Sequence, residues 1–238
     1  MLSYIIEYMN GDIDSLSFIT IICVLCFVTI CCLPVHECAH AWVAEKLGDP
    51  TGRLKGRITL SPMAHLSLMG TLMLVLFGFG YAKPVPINIR NFKKRKLYMG
   101  LSALAGPVSN LLLAIIFLLV SAIASLFTAS DPESAVTVAG ITVKFFVNVA
   151  YFNIALAVFN LIPFPPLDGS RILTMILPDK IYYRVMAYER YLFYILFALI
   201  FIFNRMGISP INSITTFIFN LFSTVIYILV NLIAGIFM

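Results

Sequence analysis

The chain has 238 residues, of which 61% are hydrophobic and 11% are charged. A soluble domain carries about 25% charged residues, so this composition excludes an ordinary soluble fold and indicates an integral membrane protein. The net charge of +5 comes from short loops between apolar runs, as in the cytoplasmic loops of membrane proteins, and nucleic acid is not expected as a partner.

Long apolar runs predict the membrane helices, because about 20 helical residues cross about 30 Å of hydrocarbon. Five runs lie at about 16–43, 101–126, 141–166, 190–205 and 211–237, and a shorter one lies at 66–82. We therefore predict an all-α polytopic membrane protein with about five to six transmembrane helices. Residues 1–238 are expected to form a single domain, with a core at about 16–175 and C-terminal helices at 190–237.

The basic residues predict the orientation of these helices. The stretch "MLSYIIEYMNGDID" before the first run has no basic residue, and no small-residue cleavage site follows that run, so we interpret it as a retained helix and not a signal peptide. The segments 44–64, 83–96 and 168–190 carry most of the lysines and arginines. Since positively charged loops stay in the cytoplasm, we expect the N-terminus outside and the C-terminus inside.

The first apolar run contains all five cysteines, between Cys23 and Cys38. Their odd number and their position on one helix argue against a disulfide framework. Cys23 and Cys26 have the CxxC spacing, but in a lipid-embedded helix we favour small core residues over a metal site.

The same run ends in "HECAH", which places His36 and His40 one helical turn apart with Glu37 beside them. Two imidazoles at this spacing can bind a zinc ion, and the glutamate can act as a general base. The alternative is a polar helix end that is solvated at the membrane interface. Ionisable residues inside membrane helices are costly and usually functional, so we favour the metal site.

Residues 66–82 have basic segments on both sides, so a full crossing would place one of them outside. Three glycines also interrupt this short run. We therefore predict a re-entrant element, and a small strand or β-hairpin in the preceding "GRLKGRITLSP". Such backbone is tolerated at membrane depth only against protein or a water-filled cavity.

Two polar residues near the end of the third run are candidates for the same site. Asp168 in "FNLIPFPPLDGSR" follows three prolines, which cannot continue a helix. It is the natural third metal ligand, and the alternative is an ion pair with Arg171. Asn160 could hold a substrate carbonyl or make a hydrogen bond between helices.

Three segments together resemble one known family. "HECAH", "GPVSN" at 106–110 and "FNLIPFPPLDG" are similar to the motifs of the site-2 proteases, the intramembrane zinc metalloproteases of peptidase family M50. The likeness runs from about residue 30 to 175, includes "GRITLSPMAH" and "YAKPVPIN", and is closest to the compact bacterial type without a PDZ domain. From the residues alone, "GLSALAGPVSN" at 100–110 is best interpreted as a face of small side chains for helix packing, with Ser102 next to Gly106 and Ala105 next to Ser109 at helical spacing.

The resemblance implies a function and assigns roles. His36, His40 and Asp168 would bind one Zn2+ ion, Glu37 would be the catalytic base, and Asn160 would assist the substrate. His65 would either line the active site or be a structural histidine. The expected activity is that of a zinc metalloendopeptidase which cleaves transmembrane segments, in regulated intramembrane proteolysis. Anti-sigma factors or signal-peptide remnants would be its substrates, in a bacterial inner membrane, with the active site near the cytoplasmic face.

Other membrane proteins fit the sequence less well. A transporter should show repeated halves with matching helix breaks, and a di-iron hydroxylase needs more than the three histidines present. A prenyl-protein endopeptidase would need Glu189 as a ligand in a context with a histidine partner. The remaining alternative is a non-proteolytic multi-pass protein with a coincidental or inactive HExxH motif.

Overall fold

The computed structural model describes residues 8–67, 70, 82–128, 137–178, 180, 181, 184, 187–205 and 210–237. The first apolar run is helical from α1, Ser15–Phe27, through a π turn, Val28–Cys32, into α2, Leu33–Lys46. Asp14 caps the start of α1, where its carboxylate accepts a hydrogen bond of 3.2 Å from the Ser17 amide. Together these elements make one continuous apolar helix.

The remaining helices follow in chain order. They are α3 (Thr51–Leu54), α4 (Pro62–His65), α5 (Arg95–Ser125), α6 (Val138–Leu161), α7 (Asp168–Ile172), α8 (Glu189–Arg205) and α9 (Pro210–Phe237). Short 3-10 turns lie at Ile89–Asn91 and Leu173–Met175.

Four of the described helical stretches are long and apolar enough to cross a membrane: Ser15–Lys46, Arg95–Ser125, Val138–Leu161 and Pro210–Ile236. The span predicted at 190–205 corresponds to α8, which has 17 residues and is slightly shorter than the about 20 that a perpendicular crossing needs. The protein is thus mainly helical, with four helices of membrane-spanning character in the described part.

Two predicted boundaries differ from the structure. The third span was expected to reach residue 166, but α6 ends at Leu161 because the proline-rich stretch after it forms bends and turns. The strand expected within residues 52–62 is absent, since α3 occupies its beginning and residues 55–61 are turns, bends and irregular backbone. Gly56, with a φ of 64°, turns the chain sharply there.

The predicted re-entrant element falls largely on residues 68, 69 and 71–81, which lie outside the described part of the chain. Its two ends are described, and they meet. Leu66 and Ala82 form an antiparallel β-bridge, and the Lys83 amide donates a 2.6 Å hydrogen bond to the His65 carbonyl. The segment therefore begins and ends at the same place in the fold.

The centre of the helix bundle is the pair α5 and α6, which pack closely along each other. Ala114, Leu118 and Ala122 of α5 are buried against Ala150 and Ile154 of α6, and small side chains at such positions let membrane helices approach. On this pair, α9 adds a hydrogen bond of 2.6 Å between the hydroxyls of Tyr227 and Ser121. Helix α2 packs on another side of α5 and carries the HECAH motif.

Candidate metal centre and active site

The two histidines of α2 lie on one face and point to the same place. His36 and His40 are both buried, and their Nε2 atoms are 3.0 Å apart. Two neutral imidazole nitrogens with facing lone pairs repel each other unless a cation or a proton lies between them. The pair can therefore share a proton or hold a cation.

Asp168 is brought to the same place by the chain reversal after α6. Gly169 makes this reversal possible, because a Cβ at that position would contact the Leu161 and Ile162 carbonyls and lie 2.6 Å from the carbonyl carbon of Ile162. As a result, Asp168 Oδ2 is 3.1 Å from His40 Nε2 and 3.3 Å from His36 Nε2. Arg171 lines the same cleft.

The three donors fit a zinc ion. A zinc site with metal–nitrogen distances of about 2.0–2.1 Å has about 3.3–3.4 Å between the corners of its tetrahedron. The distances of 3.0–3.3 Å among the two Nε2 atoms and Asp168 Oδ2 are close to this value. Two histidines and one carboxylate are also a ligand set of catalytic zinc sites, which leave the fourth position open.

Helix α5 contacts the Nδ1 atom of each imidazole, on the side of the ring opposite Nε2. His40 Nδ1 donates a hydrogen bond of 2.7 Å to the Ser102 carbonyl, which leaves Nε2 as the metal-binding atom. The Asn110 amide lies 3.1 Å from His36 Nδ1. Such outer contacts select the tautomer of a metal ligand and orient its ring.

The Asn110 amide is best oriented with its oxygen toward His36. With Nδ2 facing His36, the buried Oδ1 atom has no hydrogen-bond partner among the described residues. Amide oxygen and nitrogen are distinguished only by their hydrogen-bond partners. A 180° rotation pairs Oδ1 with the Nδ1–H of His36, and His36 Nε2 then faces the metal position as His40 Nε2 does.

Gly106 lies between these two contacts and leaves room for the histidines. A Cβ at Gly106 would contact His40 Nε2 and would lie 2.6 Å from His36 Cε1. Any side chain at this position would therefore enter the metal site. Ser102, Gly106 and Asn110 are spaced by four residues, and they face His40 and His36 in antiparallel register.

Glu37 and Asn160 line a cleft that opens onto the three metal-binding groups. The cleft has a volume of about 380 Å3. Its other described walls are mostly apolar: Leu33, Ala82, Pro84, Val85, Ile87, Ala103, Leu156, Phe159, Pro166, Leu167 and Leu196, with Arg171 as the basic member. A carboxylate base, an amide and a metal position around an apolar cleft are the parts needed to hydrolyse a peptide bond.

Asn160 and His65 occupy different environments. Asn160 donates a hydrogen bond of 3.0 Å from Nδ2 to the Leu156 carbonyl of its own helix, and its side chain still reaches the cleft. His65 is fully buried, donates from Nε2 to the Thr59 carbonyl at 2.9 Å, and is absent from the described walls of the cleft. This geometry favours the structural alternative for His65.

Several site residues were not recognised in the sequence. Ser102 and Gly106 were interpreted as part of a packing face, and Asn110 was given no role of its own, although all three hold or accommodate the candidate metal-binding histidines. Their four-residue spacing, equal to that of His36 and His40, was the available signal. Nothing in the sequence indicated that Leu196 of α8 would reach the cleft.

Comparison with known proteins adds independent support. The model of peptidase family M50 matches residues 121–203. YwhC of Bacillus subtilis, which is named as a candidate zinc metalloprotease, is 42% identical over 170 residues, covering 71% of this chain and 75% of YwhC. No solved structure matches the chain.

More distant relatives carry similar names. Rip2 of Mycobacterium tuberculosis is 33% identical over 147 residues, 60% of this chain and 51% of Rip2. MJ0611 of Methanocaldococcus jannaschii is 30% identical over 138 residues, 58% of this chain and 62% of MJ0611. Both are named as candidate zinc metalloproteases. From its motifs, its site and its extensive match to YwhC, the chain belongs to peptidase family M50, the family of the site-2 proteases.

Proposed function

We propose that this protein is an intramembrane zinc metalloendopeptidase that cleaves a peptide bond within or next to a transmembrane segment of its substrate. One observation carries the proposal: His36, His40 and Asp168 converge at a cleft that Glu37 also lines. Helices of membrane-spanning character supply both histidines and the Asn160 side chain.

Each residue of the site has a separate role in the proposed reaction. His36, His40 and Asp168 would hold a zinc ion, which would supply Lewis acidity for the scissile carbonyl and the attacking water. Glu37 takes one proton from the water as its oxygen bonds to the carbonyl carbon, and transfers that proton to the nitrogen of the breaking C–N bond. Asn160 has a second Nδ2–H with which to hold the substrate carbonyl oxygen.

The substrate must be unwound before it reacts, because a helix keeps its carbonyls in backbone hydrogen bonds. The segment "AKPVPIN" at 82–88 is the candidate to hold an extended substrate by β-pairing. Pro84 and Pro86 have no N–H, and the Asn88 amide already donates to Asp49. A substrate strand would therefore receive hydrogen bonds from the amides of Val85 and Ile87, two residues that line the cleft.

The physiological substrate and the orientation belong to the same proposal. We infer a membrane-tethered regulator such as an anti-sigma factor, or a signal-peptide remnant, as the substrate class. The basic loops around the metal-binding residues support an active site near the cytoplasmic face, with the N-terminus outside, in a bacterial inner membrane.

The proposal is tested with purified protein in detergent, a model single-pass substrate, and a measurement of bound zinc. Glu37→Gln should reduce cleavage by at least about 100-fold and retain zinc. Asp168→Asn should lose both cleavage and zinc. Wild-type protein that binds no zinc, or a Glu37→Gln variant as active as wild type, would refute the protease assignment.

A second set of variants tests whether residues 82–88 hold the extended substrate by β-pairing. Val85→Pro removes one of the two amide donors and should impair cleavage, while Ile58→Pro serves as a matched control in the irregular loop outside the described walls of the cleft. Both variants should bind zinc. Replacement of Lys83, Pro84, Val85 and Pro86 together without loss of cleavage would contradict this role.

A further inference from the structure

Two loops at one end of the protein, residues 47–67 and 82–96, are joined into a single surface. The buried Asp49 carboxylate accepts hydrogen bonds from the Asn88 amide at 2.7 Å and from the Asn91 side chain at 2.6 Å. Phe92 packs with Ala44 and Met99 in a small core. The loops are thus held together and to helix α2.

This surface is strongly basic. Asp49 is the single acidic residue in these two loops, and it is buried. Seven basic side chains in these loops are exposed. Arg53 pairs with Glu45, and the other six form what we call the basic surface: Lys55, Lys83, Arg90, Lys93, Lys94 and Arg95. Consecutive cations at the start of α5 oppose the helix dipole, so a nearby anion would stabilise them.

Large apolar side chains are exposed among these cations. Leu54 is 80% exposed, Leu60 is 64% exposed and Met63 is 83% exposed. Apolar side chains interspersed with cations suit the boundary between lipid headgroups and acyl chains. An acidic polypeptide would satisfy the cations but would not require these apolar groups.

The first of these loops folds back along α2. Gly52 of α3 lies against α2, where a Cβ on it would be 3.0 Å from the Ala41 Cβ. Ala41 precedes the end of α2 at Lys46 by about 7.5 Å along the helix axis. The neighbouring Trp42 is 52% exposed, with Lys46 Nζ 5.7 Å from its ring, and exposed tryptophan is typical of the membrane interface.

We propose that this end of the protein lies within the lipid headgroup layer and binds anionic phospholipids in preference to zwitterionic ones. The basic surface contacts the headgroups, and Leu54, Leu60 and Met63 enter the acyl region beside helix α2. Anionic lipid is thereby concentrated next to the helix that carries His36 and His40. The proposal is independent of proteolytic activity.

Trp42 is the only tryptophan of the chain and provides a native probe. In nanodiscs, its fluorescence should be quenched by brominated phosphatidylglycerol at least about twice as efficiently as by brominated phosphatidylcholine at equal mole fraction. Raising the salt concentration should reduce the difference, because salt screens exposed charges. The combined variant Lys55→Gln, Lys93→Gln and Lys94→Gln should bring the ratio close to one. Equal quenching by both lipids in wild type would overturn the preference.

Insertion of the loop is tested by moving the probe. In a Trp42→Phe background, which has no tryptophan, Met63→Trp should be quenched by bromines near the top of the acyl chain and protected from aqueous iodide. Leu112→Trp, at an exposed position within α5, is the matched membrane control and should respond to deeper bromines. If Met63→Trp is instead quenched by iodide and not by brominated lipid, the loop lies in water and the insertion is refuted.

Discussion

At the scale of single residues, the metal centre depends on groups that never touch the metal. Ser102 and Asn110 each engage the Nδ1 atom of one histidine, so that both Nε2 atoms face Asp168. A histidine without such a partner populates both tautomers and several ring orientations. Residues of helix α5 therefore set the ring orientations of the two histidines, although the histidines belong to helix α2.

Replacing Asn110 should weaken metal binding. Asn110→Leu keeps the size of the side chain but removes the acceptor for His36, and we expect zinc affinity to fall about 10- to 100-fold. Asn110→Asp keeps an acceptor oxygen and should retain more of the affinity. Competition with a chromophoric chelator measures both. Asn148→Leu, on α6 where the amide donates to its own helix at Lys144, is the control and should bind zinc as wild type does.

At the scale of elements, the close approach of α2 and α5 depends on Gly106, because a glycine has no side chain to push the two helices apart. Gly106→Ala would place a methyl group against both histidine rings, so the variant should lose bound zinc and activity. Gly235→Ala is the matched control, since no atom lies within 4 Å of the added carbon on α9, and alanine favours a helix. Normal zinc content in Gly106→Ala would show that the helices can separate without cost.

The junction between the two basic loops predicts a pH dependence. Burial by itself raises the pKa of the Asp49 carboxyl, but hydrogen bonds from Thr51, Asn91 and Asn88 outweigh it, and the pKa lies below its ordinary value. A carboxyl with a lowered pKa in the folded state stabilises the fold above the unfolded pKa of about 3.9. That contribution disappears as the pH falls through the folded-state pKa.

Asp49→Asn should therefore unfold at a lower temperature than wild type at pH 7, by the equivalent of about 1.5–3 kcal/mol per lost charged hydrogen bond. The difference in melting temperature should shrink below about pH 4, as the wild-type carboxyl becomes protonated. Thermal unfolding of both proteins in detergent across this range measures it. A difference that stays constant down to pH 2 would contradict an ionised Asp49.

At the scale of the whole molecule, the metal site joins distant parts of the chain. Two of the candidate ligands come from α2 and the third from α7, after the break that ends α6. A metal bound only by the folded state stabilises it in proportion to the logarithm of its concentration over Kd. The core of α5 and α6 is built from apolar side chains that are not among the candidate metal ligands, so we expect the metal to add stability to a bundle that packs by itself.

Removal of zinc should therefore lower the melting temperature without unfolding the protein. At a thousandfold excess of zinc over its Kd, the stabilisation is about 4 kcal/mol. A strong chelator should shift the thermal transition of wild type downward and leave that of Asp168→Asn unchanged. An equal shift in both proteins would mean that the chelator acts elsewhere.

Hydropathy, spacing and motifs were sufficient to predict the membrane class, most helix positions and the three candidate metal-binding groups. Hydropathy and helical periodicity are local properties, so the span predicted at 16–43 appears as Ser15–Lys46, and His36 and His40 share one face wherever α2 packs. Asp168 was predictable because prolines must end α6 and leave a carboxylate at the depth of HECAH.

The residues that lie opposite these groups could not be predicted, because they depend on how the helices pack. The register between α2 and α5 places Ser102, Gly106 and Asn110 against the histidines, and it arises from packing over the whole bundle, not from any local pattern. The role of His65 could not be predicted from the sequence for the same reason, since a buried histidine can either line a cleft or stabilise a loop. Its hydrogen bond to the Thr59 carbonyl depends on contacts that form only when the chain is folded.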